Sequence, residues 1–286
     1  MTGNMSNTQN VITGLIGNPV SQSLSAMIHR YWMQHYQIDG EYAAYQVEEA
    51  ALAGFFAQMR TEKWRGINVT VPHKQAVMGL LDEVDEVASA IGAVNTVVGQ
   101  NGKLMGYNTD MAGWWKSIMA TTPEHTKFLQ HVVVIGAGGA ARAVVNALYK
   151  AKAAHVTIIN RTHSAASELA QHYGAHTASW QERDEALAGA SMLINTTSLG
   201  MRGKEALSLS LDRLPREALV SDIVYAPLKT PLLLAAEKRG NVVVGGLMML
   251  IYQAADAFYL WHGIRPQIDD ALIALLTQEL LRREGI

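Results

Sequence analysis

The stretch His131-Val-Val-Val-Ile-Gly-Ala-Gly-Gly-Ala-Ala141 decides how this chain is read. An unbroken apolar run, the pattern of a buried strand, meets Gly136-x-Gly138-x-x-Ala141, and a helical pattern follows over residues 142–152. Strand, glycine turn and helix in that order are what a dinucleotide fingerprint requires. Gly136 permits the tight turn, Gly138 lets the backbone approach a pyrophosphate, and Ala141 is small enough for close helix–strand packing. A glycine-rich turn in an ordinary α/β protein is the bland alternative, and the flanking elements weigh against it. The next strand, over 155–160, ends in Asn160-Arg161-Thr162. No carboxylate stands there to accept from the ribose 2′-hydroxyl of NAD. A guanidinium and a hydroxyl suit the 2′-phosphate of NADP instead, although Arg161 also fits an ordinary solvated surface arginine.

Outward from this core the alternation continues. Strand patterns over 191–195, 219–224 and 241–244 interleave with helical patterns over 164–173 and 231–239, which predicts a parallel, doubly wound sheet. Ligands of such sheets lie beyond the carboxyl ends of the strands, so Thr196-Thr-Ser198 and Tyr225-Ala-Pro227 mark where a nicotinamide would sit. Upstream of about residue 112, strand patterns over 11–16, 42–47 and 66–71 alternate with helices but carry no phosphate fingerprint. This is the natural substrate-binding half. The expected linker is Thr121-Thr-Pro-Glu-His-Thr126 or the helix before it.

Composition bounds the chemistry. At roughly 150 residues per domain, 286 residues allow two domains, and 49% apolar against 17% charged residues exclude disorder. Lys plus Arg number 23 against 25 Asp plus Glu, a formal charge of −2 with no basic face, so nucleic acid is not an expected partner. Cysteine is absent, which removes disulfides, thiolate catalysis, iron–sulfur clusters and Cys-ligated zinc, and is compatible with a reducing cytoplasm. The ten histidines show no metal-ligand spacing, so no metal is assigned. The N-terminus lacks a basic n-region, and the nearest approach to a membrane span, over 242–261, is interrupted by Gln253 and Asp256. We therefore expect no signal peptide, no membrane association and a cytoplasmic location.

Four polar clusters mark the upstream half. In Gly17-Asn-Pro-Val-Ser-Gln-Ser-Leu-Ser25, Ser23 and Ser25 lie just before a helical pattern and suit either a helix cap or a carboxylate ligand. Asn68-Val-Thr-Val-Pro-His-Lys74 ends a strand at Thr70, with Pro72 fitted to the first turn of a helix. Lys74 near such a start sits where cations are disfavoured, the setting of a general acid–base lysine, though a solvated lysine is the default and His73 is an open alternative. Gly92-Ala-Val-Asn-Thr-Val97 and Gly106-Tyr-Asn-Thr-Asp110 each bring a polar residue to a turn or strand end. Asp110 precedes a helical run and reads as an N-cap, a role compatible with partnering Lys74.

Together, Gly17-Asn-Pro-Val, Ser23-x-Ser25, Asn68-Val-Thr-Val-Pro-x-Lys74, Gly92-Ala-Val-Asn95, Gly106-Tyr-Asn-Thr-Asp110, Gly136-Ala-Gly-Gly-Ala-Ala141, Asn160-Arg-Thr162 and Gln253-Ala-Ala255 resemble shikimate dehydrogenase from about residue 12 to about residue 264. The resemblance implies an α/β fold of two domains with the active site in the cleft between them. A substrate-binding catalytic domain, 1–112 plus 250–286, would be completed by the C-terminal helices, and a Rossmann NADP-binding domain would span 113–249. It implies an NADP-dependent oxidoreductase acting on a CH–OH group, reversibly reducing 3-dehydroshikimate to shikimate on the route to chorismate and the aromatic amino acids. Lys74 and Asp110 would be catalytic. Ser23 and Ser25 would bind the substrate carboxylate, and Thr70, Asn95, Asp110, Tyr225 and Gln253 its hydroxyls. The cofactor would take Gly136, Ala137, Gly138, Gly139, Ala140, Asn160, Arg161, Thr162, Ile223 and Gly246, with Glu86 near the nicotinamide end.

The chain departs from the family pattern at three places. Gln22 and Ala26 flank the serine pair where His and Pro are usual, and Ala165 stands where a second phosphate-binding arginine is common. NADP remains the expected cofactor, with NAD as the alternative. A quinate/shikimate dehydrogenase using NAD or both cofactors is the competing enzyme reading, and a non-catalytic metabolite-binding regulator the reading from another class. The sequence leaves monomer and homodimer open.

Overall fold

The computed structural model describes residues 11–62 and 64–285, which divide into two compact units. One comprises the chain up to Asn108 together with Ala254–Leu272; the other comprises Thr109–Gln253 and Ile273–Ile286. The first division falls between Asn108 and Thr109, at the start of the helix that precedes Thr121–Thr126.

The first unit contains β1 (Val11–Gly17), α1 (Ser25–His35), β2 (Gly40–Gln46), α2 (Leu52–Thr61), β3 (Trp64–Val69), β4 (Glu83–Val84), α3 (Glu86–Ile91), β5 (Thr96–Gln100) and β6 (Lys103–Tyr107). Its sheet has the order β2-β1-β3-β5-β6-β4. β1 runs parallel to β2 and β3, whereas β5 is antiparallel to β3 and to β6. The mixed character follows from short connections. Gly102, with φ of +76°, closes a hairpin that only an antiparallel pair can use, while β1, β2 and β3 are joined through helices. Ile16, Ile67, Val69 and Val97 pack one face of the sheet against Leu52, Phe56 and Met59 of α2.

The second unit starts with α4 (Asp110–Thr121), then β7 (His131–Ile135), α5 (Gly139–Lys150), β8 (His155–Ile159), α6 (His163–Tyr173), β9 (His176–Ala178), β10 (Met192–Asn195), β11 (Leu219–Asp222), α7 (Pro231–Arg239) and β12 (Val242–Val244). α8 (Gly246–His262) and α9 (Asp270–Glu284) each divide between the units. All strands here are parallel, in the order β12-β11-β10-β7-β8-β9. Val132, Val134, Ile158 and Ile194 face Val144, Leu148 and Leu169 on one side, and Val133, Ile135, Leu193 and Val220 face Leu232, Leu233 and Ala236 on the other. Burial on both faces is why these strands read as continuous apolar runs and not as alternations. The doubly wound, Rossmann-like sheet expected from the fingerprint is the one found.

The C-terminal segment completes the first unit. Trp261 donates from Nε1 to the Val97 carbonyl at 3.0 Å, and its ring occupies the space where a Cβ on Gly66 would stand, only 2.0 Å from Nε1. Trp32 of α1 donates to the Gln267 carbonyl and Tyr31 to the Asp269 carboxylate. Among the described residues no helix is long and apolar enough to cross a membrane.

Candidate active site

In the first unit, five of the expected site residues gather where β1 and β3 end and β5 begins. Backbone hydrogen bonds stitch these loops together: Thr70 N to Ile16 O, Asn18 N to Val71 O, Val69 N to Asn95 O and Val94 N to Lys74 O, all 2.8–3.0 Å. Gly17 is required here, because a Cβ would lie 2.3 Å from Thr70 Cγ2. Ser23 and Ser25 share a hydrogen bond of 3.1 Å between their hydroxyls, and Ser23 Oγ accepts from the Ser25 amide at 3.2 Å. Neither is the N-cap of α1. Leu24 holds that position and makes no side-chain cap.

Lys74 does not sit at the start of an α-helix. Turns lead from Val71 into a short 3₁₀ helix over Ala76–Leu80, because the Lys74 carbonyl that an α-helix would use is taken by the Val94 amide. Burial distinguishes the two neighbours. His73 is 1% exposed with Nε2 2.7 Å from the Val47 carbonyl, whereas Lys74 is half-buried. Asn95 is 2% exposed, and Thr96 Oγ1 lies 3.1 Å from its Oδ1.

Asp110, Tyr225 and Gln253 belong to the second unit. Asp110 is the first residue of α4, with Thr109 at the N-cap position, so the expected capping role is off by one residue. It is 5% exposed. Gln253 donates to the Leu250 carbonyl at 2.8 Å, and the absence of a side chain at Gly113 admits it, since a Cβ there would lie 2.8 Å from Gln253 Cβ.

The candidate cofactor residues of the second unit line the carboxyl edge of its parallel sheet. Gly136, with φ of +118°, receives the chain from β7, and a Cβ there would lie 2.4 Å from Thr196 Oγ1 in the loop after β10. Gly138 is exposed and caps α5 without a side chain; a Cβ there would meet no atom within 4 Å. The two glycines therefore serve differently, one for the protein's own packing and one for an open approach to the first-turn amides. That open cradle, with Ala137, Gly139 and Ala140 around it, fits a pyrophosphate. Asn160 donates to the Thr162 carbonyl at 2.9 Å, closing the turn that carries exposed Arg161. Ile223 and Gly246 meet across a tight contact: a Cβ on Gly246 would lie 2.1 Å from the Ile223 carbonyl oxygen. Glu86 lies in the first unit, exposed in the first turn of α3.

Two buried polar networks escaped the sequence reading. Beneath the first loop cluster run Tyr42, Asn68 and Thr96. At the ends of β10 and β11, the Asp222 carboxylate accepts from Asn195 Nδ2 at 3.0 Å, Thr230 Oγ1 at 2.7 Å and the Val224 amide at 3.0 Å. Burial pushes this carboxyl up to about 6 despite those donors. The available signal was a polar residue near the carboxyl end of each strand, Asn68 and Asp222.

Three family profiles match: the shikimate dehydrogenase substrate binding domain over residues 15–97, shikimate / quinate 5-dehydrogenase over 122–224, and the shikimate 5′-dehydrogenase C-terminal domain over 246–275. Shikimate dehydrogenase (NADP(+)) of Paramagnetospirillum magneticum is 44% identical over 268 residues, covering 93% of this chain and 97% of that one. Shikimate 5-dehydrogenase of Thermus thermophilus, solved in complex with NADP(H) and shikimate, superposes with a TM-score of 0.83 at 34% identity over 95% of this chain and all of that one. Quinate dehydrogenase of Corynebacterium glutamicum, solved with NAD, gives 0.85 at 30% identity over 94% and 99%. Backbone likeness alone does not separate the last two, and the profiles, the identity and the ordered motifs agree on a common descent. The chain belongs to the shikimate dehydrogenase family.

Proposed function

We propose that this protein is an NADP-dependent shikimate dehydrogenase, interconverting 3-dehydroshikimate and shikimate in the biosynthesis of chorismate and the aromatic amino acids. The observation that carries the reading is the loop cluster of the first unit, where Thr70, Lys74 and Asn95 are tied to one sheet end by backbone hydrogen bonds and the Ser23 and Ser25 hydroxyls are joined to each other. We assign substrate binding to 1–112 with 250–286 and cofactor binding to 113–249, and place the enzyme in the cytoplasm.

NADPH, when bound, supplies the hydride to the substrate carbonyl carbon. The chain's own residues do the rest. Lys74 Nζ gives a proton to the carbonyl oxygen as charge develops there, and takes it back from the shikimate hydroxyl in the reverse direction. We assign Asp110 as the second catalytic residue, a ligand of the substrate hydroxyl. Ser23 and Ser25 receive the substrate carboxylate, while Thr70, Asn95, Tyr225 and Gln253 fix its hydroxyls, so that the reacting carbon is presented in one orientation. Arg161 with Thr162 binds the 2′-phosphate; Gly136 to Ala140 take the pyrophosphate; Ile223 and Gly246 flank the nicotinamide, with Glu86 at that end.

The test is nicotinamide absorbance with purified protein in four combinations: shikimate or quinate, each with NADP or NAD. Shikimate with NADP should give the highest kcat/KM. Turnover of quinate with NAD alone would transfer the chain to the quinate branch, and turnover of none would remove the enzyme reading.

A further inference from the structure

We infer that Asp222 is the positioning residue for the nicotinamide end of the cofactor: its carboxylate holds in place the main chain that carries Ile223. The carboxylate is 1% exposed at the last position of β11, and its two oxygens meet donors from three places in the fold. Oδ1 accepts from Asn195 Nδ2 and from the Val224 amide, both at 3.0 Å, and Oδ2 accepts from Thr230 Oγ1 at 2.7 Å. Main-chain groups fix the orientation of Asn195, because its Nδ2 also reaches the Leu199 carbonyl and its Oδ1 accepts from the Thr197 amide, each at 3.1 Å. Ile223 sits inside this frame, half-buried between the buried Asp222 and Val224. Its own amide donates to the Asn195 carbonyl at 3.1 Å, the next amide is the one that Asp222 accepts, and the Val224 carbonyl receives the Gly246 amide at 3.2 Å. Both peptides around Ile223 are thereby held, and so is their close approach to Gly246, where a Cβ would lie 2.1 Å from the Ile223 carbonyl oxygen.

Stability alone would not select a carboxylate here. Burial pushes the group up to about 6, so at neutral pH the folded chain holds a buried charge that an amide or an apolar residue of similar size would spare it. The groups facing its oxygens are Asn195 from β10, the Val224 amide from the turn after β11 and Thr230 from the head of α7, none of them a cation. What the carboxylate supplies is two acceptor oxygens and no donor. Three donors converge on it, and an amide in its place would turn an N–H toward one of them. A local cost of this kind is the mark of a residue kept for placement and not for stability.

The role depends on Ile223 and Gly246 flanking the nicotinamide, as proposed above, and calorimetric titration separates the two. The probes are NADP and adenosine 2′,5′-bisphosphate, which carries the adenine end and the 2′-phosphate but no nicotinamide. In Asp222→Asn the Kd for NADP should rise about fivefold. That for the bisphosphate should stay unchanged, because Arg161 lies beyond β8, and β10 and β7 separate that strand from β11. Equal weakening of both probes would make Asp222 a support of the whole sheet, and weakening of neither would leave Ile223 in place without it; each result overturns the role. If the wild type binds neither probe, the cofactor reading itself falls and the role with it. Should Asp222→Asn lose its thermal transition, Thr230→Val replaces it. That change removes one donor of the three, and the Kd should rise about twofold for NADP alone.

Discussion

The two units hold their candidate ligand residues by different means. In the first, the candidate side chains rest on buried polar partners: Asn95 on Thr96, Thr96 on Asn68, Asn68 on Tyr42. In the second, the candidates are main chain and a projecting cation, with Gly138 open to solvent at the head of α5 and Arg161 exposed beyond β8. A small polyhydroxylated substrate must be read group by group, by side chains held in place. A pyrophosphate is read as charge, which first-turn amides and a guanidinium supply without buried partners. The buried network of the second unit serves the scaffold instead, with Asp222 tying the loops after β10 and β11 to the cap of α7.

Four experiments break or sharpen this contrast. The largest effect is expected for Lys74→Ala, which should lower kcat by about 10²–10⁴ with the shikimate KM little changed, because proton transfer belongs to the transition state. Stopped-time assays over a range of shikimate concentrations measure it, and an unaltered kcat would take Lys74 out of the mechanism.

Next comes the pH dependence of stability. The folded-state value of about 6 for Asp222 exceeds its ordinary 3.8 through burial, so the ionised form is penalised in the folded chain. Its contribution is fully present below about pH 3.8 and is lost as pH rises through about 6. At about 1.4 kcal/mol per pH unit, the loss is about 3 kcal/mol. Urea unfolding of the wild type and Asp222→Asn from pH 4 to 7.5 should show the variant gaining relative to the wild type as pH rises, and a constant difference would contradict the assignment. His29 works with the opposite sign in the first unit. Burial holds it down to about 3, aided by His262, so its stabilisation is present above about 6.5 and lost as the pH falls toward 3.

The paired glycines come third. Gly136→Ala should destabilise by at least about 2 kcal/mol, having both a positive φ and an overlap with Thr196, and should lower the melting temperature. Gly138→Ala should leave the melting temperature within a degree or two and still raise the KM for NADP. If both variants melted alike, the division between packing glycine and cradle glycine would collapse. The smallest effect is expected for Arg161→Ala: about a tenfold rise in the KM for NADP, with that for NAD unchanged. Equal losses for both cofactors would remove the 2′-phosphate from its duties.

Legibility in the sequence followed the same line. What depends on backbone and chain order could be read: β7, the glycine turn, α5, the parallel succession to β12 except the three-residue β9, and the tip at Arg161. The antiparallel strands β5 and β6 were visible only as turn-flanked fragments, because Thr96–Gln100 and Lys103–Tyr107 are short and their hairpin is closed by Asn101 and Gly102 without a strong alternation. The start of a helix at Pro72 was misread because the competing partner of the Lys74 carbonyl, the Val94 amide, lies twenty residues on. His73 and Lys74 could not be ranked for the same reason: burial is a tertiary fact. The network through Tyr42, Asn68 and Thr96 joins three strands, and local spacing carries no trace of such a path.

Trp261 sets a condition on when the first unit can form. Its indole fills the space above Gly66 and holds the Val97 carbonyl across 164 positions of chain. Until synthesis has passed that residue, β3 and β5 lack the lid of their core, and the strand pair that ends in Asn95 has a void in place of an indole. Contacts so far apart in sequence close slowly. The order of maturation should thus run against the order of translation, with the sheet begun by β7 consolidated while the sheet begun by β1, though made first, waits for the C-terminal segment.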